Sequence, residues 1–175
     1  MFAASQGGHY KELMGLRDLF PKYESVLVTD NLGVAKQTEI VSQFTSVAYS
    51  HAMDDWRKEN AGTTKNSRWS GLKAYIRMFK ECIAIYNQHK PTVIISTGAN
   101  IAVPLFVWGK LHGSKLIFIE SNAKVYSKTT TGTLIGWLSD KVIVQWPEMQ
   151  KVYPKAEYHG VIHNSSFASS LTRHF

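Results

Sequence analysis

The residues best placed to do chemistry are Ser5-Gln6-Gly7-Gly8-His9. Two adjacent glycines follow the small apolar run Phe2-Ala3-Ala4 and precede helix formers that set Leu13, Leu16 and Leu19 on one face. That order predicts a strand, a tight turn and a helix beginning near Tyr10. Without a Cβ on Gly7 or Gly8, an anion can approach the main chain, and the positive end of the helix favours phosphate or diphosphate. His9 stands in the first helical turn, where an imidazole can donate to a phosphate oxygen or take a proton from an attacking hydroxyl. The bland alternative is a turn that needs one positive φ. The stretch is neither Gly-x-Gly-x-x-Gly nor a triphosphate loop, because no Lys-Ser or Lys-Thr pair follows Gly8.

A second turn of the same design follows at Thr97-Gly98-Ala99-Asn100. It lies between the buried-strand run Val93-Ile94-Ile95 and a helix from Ile101 to His112 that tolerates Pro104 in its first turn. Two such turns at the carboxyl ends of parallel strands share one sheet edge, where open α/β folds bind ligands. The strand at Lys115 to Glu120 ends on Glu120-Ser121-Asn122 at the same edge. A carboxylate there orients a sugar hydroxyl or, as the alternative, caps a neighbouring helix.

The elements that must position these turns alternate along the chain. Val26 to Thr29 and Ser46 to Tyr49 read as strands, with a weak helical pattern from Val34 to Gln43 between them. His51 to Ser67 is polar and charged and reads as a mobile loop. Trp69, Leu72, Ile76, Phe79, Ile83 and Tyr86 recur at helical spacing and predict a core-facing stripe, ended by Pro91. A short helix to Leu138, a strand at Val142-Ile143-Val144, a helix opened by Pro147 and a last strand near Glu157 complete the alternation. The pattern is that of a Rossmann-like, doubly wound α/β domain with a mainly parallel sheet. It spans residues 1–162, and a serine-rich flexible tail follows at 163–175.

The chain has 175 residues, enough for one substantial core, and 44% of them are hydrophobic. A net charge of +7 asks for an acidic partner: nucleic acid, an anionic membrane surface or a phosphorylated substrate. The spread of the basic residues and the absence of any nucleic-acid motif argue against the first. Cys82 is the single cysteine, so no internal disulfide forms, and its place on an apolar helix face reads as a packed thiol. The histidines and that one thiol make no zinc signature, and no metal or cofactor is expected. No stretch reads as a membrane span or signal peptide, so a cytoplasmic protein is expected.

Further groups stand in a recognisable order: Glu12-Leu13 behind the first turn, Ile94 to Ala99 with Val103-Pro104, Ile117 to Ser121, Val144 to Pro147 and Tyr153 to Ala156. From residue 2 to about 162 the chain resembles the membrane-associated subunit of the two-part N-acetylglucosaminyltransferase of dolichol-linked oligosaccharide synthesis. It is similar, too, to bacterial capsular and exopolysaccharide β-1,4-galactosyltransferase enhancer subunits. The resemblance implies the amino-terminal half of a GT-B glycosyltransferase whose partner, a separate catalytic glycosyltransferase subunit, carries the UDP-sugar site. It implies a lipid-diphosphate-sugar acceptor, with Ser5, Gln6, Gly7, Gly8, Thr97, Gly98, Ala99, Asn100 and Ser121 around the diphosphate and His9 and Glu120 as catalytic candidates. The eukaryotic subunit's amino-terminal membrane helix has no counterpart here, which implies peripheral attachment to the anionic inner face of the cell membrane. A non-catalytic scaffold that recruits the catalytic partner and a nucleotide-binding regulator are the competing readings.

Overall fold

The computed structural model describes residues 1–5, 7–60 and 68–162. Among them seven strands form one sheet: β1 (Phe2–Ala3), β2 (Val26–Thr29), β3 (Ser46–Tyr49), β4 (Val93–Ser96), β5 (Lys115–Ile119), β6 (Lys141–Val144) and β7 (Glu157–Tyr158). Their order is β3-β2-β1-β4-β5-β6-β7, and every neighbouring pair is parallel. Parallel neighbours need crossover connections, which here are mostly helical and cover both faces of the sheet.

On one face, α1 (Gly8–Met14), the 3-10 turn Arg17–Lys22, α2 (Leu32–Lys36) and α3 (Thr38–Val41) bring Leu13, Leu16, Leu19, Phe20 and Val34 against Phe2, Leu27, Ile95, Ile117 and Ile143. On the other, α5 (Arg68–His89), α6 (Ala102–Leu111) and α7 (Thr130–Leu138) bring Met78, Cys82, Tyr86, Leu105, Phe106 and Ile135 against Ala3, Val28, Ile94, Leu116 and Phe118. Successive strand residues alternate between these cores, which is why the central strands read as unbroken apolar runs. Burial raises the Cys82 thiol from its ordinary value to about 12, aided by the charges of Glu81 and Asp30.

Two expectations about the second face are corrected. The stretch expected as a mobile loop contains a helix, α4 (Ala52–Glu59), while the remainder at 61–67 lies outside the described residues. Its charges have partners that local sequence cannot reveal. Arg57 pairs with the buried Asp30 at 2.9 Å and Asp55 with Arg77 at 3.3 Å, while the Glu81 carboxylate accepts from the Ala52 amide at 3.2 Å and the Ser50 hydroxyl at 2.8 Å.

The second correction concerns α5. The stripe expected to face the core is turned outward in its first half: Trp69 is 73% exposed, and Leu72 and Ile76 are each 48% exposed. Ala74, Met78, Cys82 and Tyr86 form the buried row instead, at regular four-residue spacing. Small side chains at Ala74 and Cys82 let α5 lie close. At 22 residues the helix is about 33 Å long against about 13 Å for a four-residue strand, so much of it has no sheet to cover.

The two stripes respond differently to substitution. Met78→Ala is expected to lower stability by about 2–5 kcal/mol, whereas Ile76→Ser should stay within about 0.5 kcal/mol of the parent in denaturant titration.

Candidate functional site

β1 and β4 are neighbours, with Phe2 opposite Ile95 and Ala3 opposite Ser96. From this pair the strand order runs outward in both directions, so the turns after β1 and β4 flank the topological switch point of the sheet. In the first turn Gly7 has φ +94°, so the conformational reason for glycine holds at that residue. At both Gly7 and Gly8, a Cβ would meet nothing within 4 Å, leaving the main chain open to an approaching group. The first-turn amides of α1 have no intrahelical acceptors.

His9 joins the two turns. Its Nδ1–H donates to the Thr97 carbonyl at 2.8 Å, while the Thr97 hydroxyl donates to the His9 carbonyl at 2.6 Å. A carbonyl only accepts, so the neutral ring carries its proton on Nδ1 and keeps a lone pair on Nε2. The ring lies directly over Gly98, where a Cβ would come within 2.9 Å of His9 Cε1. Gly98 has φ +114° and Ala99 φ +81°, a strained value for an alanine held 8% exposed. Behind the turn, the Ser96 hydroxyl donates to the carbonyls of Ala3 and Gly98 at 2.7 and 3.0 Å.

Among the sequence-predicted site residues, Gly7, Gly8 and Asn100 are exposed, Ser5 and His9 are half-buried, and Thr97, Gly98, Ala99 and Ser121 are buried. Gln6 lies outside the described residues. Glu120 is fully buried. Its carboxylate accepts from the Ser121 amide at 2.9 Å, the Thr129 amide at 3.2 Å and the Tyr153 hydroxyl at 2.7 Å. Burial, together with the hydrogen bond and charge of Glu120, raises the Tyr153 hydroxyl well above its usual range. A Cβ on Gly132 would strike Glu120 Oε2, so the carboxylate fixes the approach of α7. The sequence reading used Glu12 only as part of the family pattern and gave it no role in the site; it is 6% exposed on α1. Glu12 accepts from the Ser121 hydroxyl at 3.0 Å and the Asn122 amide at 2.8 Å, tying the first turn to the loop after β5. Its place three residues after His9 on a short helix was the available signal. Trp146 Nε1–H donates to the Asn122 carbonyl at 2.7 Å and holds that loop from the other side.

The family model of "Oligosaccharide biosynthesis protein Alg14 like" matches residues 1–162. The chain belongs to the Alg14-like family. It is similar to the UDP-N-acetylglucosamine transferase subunit ALG14 of Candida albicans, 28% identical over 173 residues that take in 89% of this chain and 74% of that protein. The Yarrowia lipolytica protein of the same name is 31% identical over 90 residues, 48% of this chain and 42% of its own length. The N-acetylmuramyl-(pentapeptide) pyrophosphoryl-undecaprenol N-acetylglucosamine transferase of Prochlorococcus marinus is 36% identical over 90 residues, 48% of this chain and 24% of that enzyme. Acinetobacter baumannii MurG has the same fold over 85% of this chain and 41% of its own, with a TM-score of 0.59 at 16% identity. The Alg14-like chain is thus Rossmann-like, as its alternation of strands and helices implied, with the architecture of one part of a GT-B enzyme.

Gly98→Ala tests the junction. The added methyl group both occupies the space of the His9 ring and strains φ, so it is expected to lower stability by about 1–3 kcal/mol and to shift the His9 ring resonances. Unchanged His9 resonances would contradict this packing.

Proposed function

We propose that this chain is the acceptor-binding, activating subunit of a two-component glycosyltransferase that moves a hexose from a UDP-sugar onto a sugar carried by a lipid diphosphate. The observation that carries the reading is His9, clamped between two turns at the switch point with Nε2 left without a hydrogen-bond partner among the described residues. Ser5, Gly7, Gly8 and Asn100 receive the diphosphate from the exposed side of these turns. Thr97, Gly98, Ala99 and Ser121 shape the cradle from behind. Glu120, fully buried, serves by holding the loop after β5 through the Ser121 and Thr129 amides and the Tyr153 hydroxyl.

In the transfer, the acceptor hydroxyl oxygen bonds to the anomeric carbon while the bond from that carbon to the UDP phosphate oxygen breaks. The hydroxyl proton passes to His9, and the electron pair leaves with UDP. Oriented main-chain amides stabilise the fixed diphosphate charge. The UDP-sugar site is assigned to a catalytic partner subunit, a reading supported by the name of the fungal relatives, each a subunit of a UDP-N-acetylglucosamine transferase. Names of the relatives support the donor and acceptor classes: UDP-N-acetylglucosamine for the fungal subunits and pyrophosphoryl-undecaprenol for the bacterial enzyme. A galactosyl donor for capsule or exopolysaccharide is the second donor to assay. The nucleotide-regulator reading loses support at Asp30, the acid after β2 that would face a ribose in a dinucleotide site, because it is 1% exposed and paired with Arg57.

We assign the outward half of α5 to peripheral contact with the anionic inner face of the cell membrane. Trp69, Leu72 and Ile76 stand exposed on one side, flanked by the exposed Lys73 and Lys80, on a chain of net charge +7. Among the described residues no helix is long and apolar enough to cross a membrane.

The test mixes this chain with a candidate catalytic glycosyltransferase subunit from the same organism, a lipid-diphosphate-sugar acceptor, and UDP-N-acetylglucosamine or UDP-galactose. Strong stimulation on mixing is expected, with His9→Ala lowering turnover by about 100-fold or more while the complex still forms. Full activity of the His9→Ala complex would identify a scaffold instead. Trp69→Ser with Leu72→Ser should weaken co-sedimentation with anionic vesicles, and undiminished binding would remove α5 from the membrane contact.

A further inference from the structure

We infer that Thr97 is a positioning residue for the transfer, acting through His9 rather than on the diphosphate; this rests on the function proposed above. Thr97 is fully buried, so its hydroxyl has no access to a ligand on the exposed side of the turn. That hydroxyl is already committed to the His9 carbonyl at 2.6 Å, and the Thr97 carbonyl accepts from His9 Nδ1 at 2.8 Å. One residue therefore grips both the main chain and the ring of His9. Neither contact suffices alone: the ring bond to the Thr97 carbonyl holds its place only while the start of α1 is fixed, and the hydroxyl bond fixes that start but not the ring.

Together they hold Nε2 as the proton-accepting nitrogen, and Gly98, lying flat beneath the ring, leaves it room to sit there. The grip is itself anchored. Ser96, fully buried, bonds the ends of β1 and β4 through the Ala3 and Gly98 carbonyls and accepts from the Gly98 amide at 3.0 Å. Threonine suits this place because its hydroxyl makes the bond while its methyl group fills buried space. Serine keeps the bond, and valine keeps the shape.

The experiment reads the imidazole nitrogens of His9 by 15N NMR in the wild-type chain, then in Thr97→Val and Thr97→Ser, and measures turnover of each in complex with the catalytic partner. The neutral wild-type ring is expected as the Nδ1–H tautomer. Thr97→Val should mix the tautomers and lower kcat by about 10-fold or more at nearly constant KM for the acceptor, and Thr97→Ser should restore both. An Nε2–H tautomer in the wild type would overturn the assignment, whether or not the complex is active. So would a folded Thr97→Val protein with unchanged tautomer and kcat, or a folded Thr97→Ser protein that restores neither. If the wild-type complex transfers no sugar, the proposed function fails, and the tautomer measurement still decides whether Thr97 sets the ring.

Discussion

The parallel pairing of β1 with β4 is the constraint on which the site depends. Residues 2 and 95 are far apart in the chain, yet their pairing puts the turns that follow both strands on one edge, close enough for a single imidazole to bridge them. No helix lies between these strands, and the connections leave the pair in opposite directions, so a crevice opens above it. Gly7 is required there to turn the backbone, and Gly98 both to turn it and to admit the His9 ring.

Around this junction the polar groups are fastened inward. Glu12 and Glu120 both hold Ser121, one through its hydroxyl and the other through its amide, while the buried Gln145 side chain donates to the Glu120 carbonyl and accepts from the Ile162 amide. A buried carboxylate whose oxygens accept several N–H and O–H donors is a rigid joint, because losing any one donor leaves charge without compensation. The edge is thus a stiff platform whose main chain faces outward at Gly7 and Gly8. Such a platform suits a ligand with fixed charge, since little has to be reordered on binding.

Much of this was legible in the sequence. The strand runs, the two glycine turns and the proline stops all depend on local chemistry, and they appear where local chemistry puts them. What escaped depends on distant partners. α4 looked like a loop because its charged Arg57 and Asp55 are compensated by Asp30 and Arg77 from other elements, while Glu81 takes its Ala52 amide. The α5 periodicity was real, but it marked two adjacent stripes, and the smaller-residue one became the core row. Glu12 was given no site role because a carboxylate on a short helix reads as solvated until β5 places Ser121 and Asn122 against it.

The most direct test of the acceptor-side account is to titrate the isolated chain with a short-chain lipid-diphosphate sugar and map the amide shifts by NMR, with UDP as the control. The account predicts that shifts centre on residues 5–9 and 97–100, that they include the His9 ring, and that UDP alone leaves these residues unmoved. Shifts confined to the end of β2 around Asp30, or a response to UDP with none to the acceptor, would contradict it.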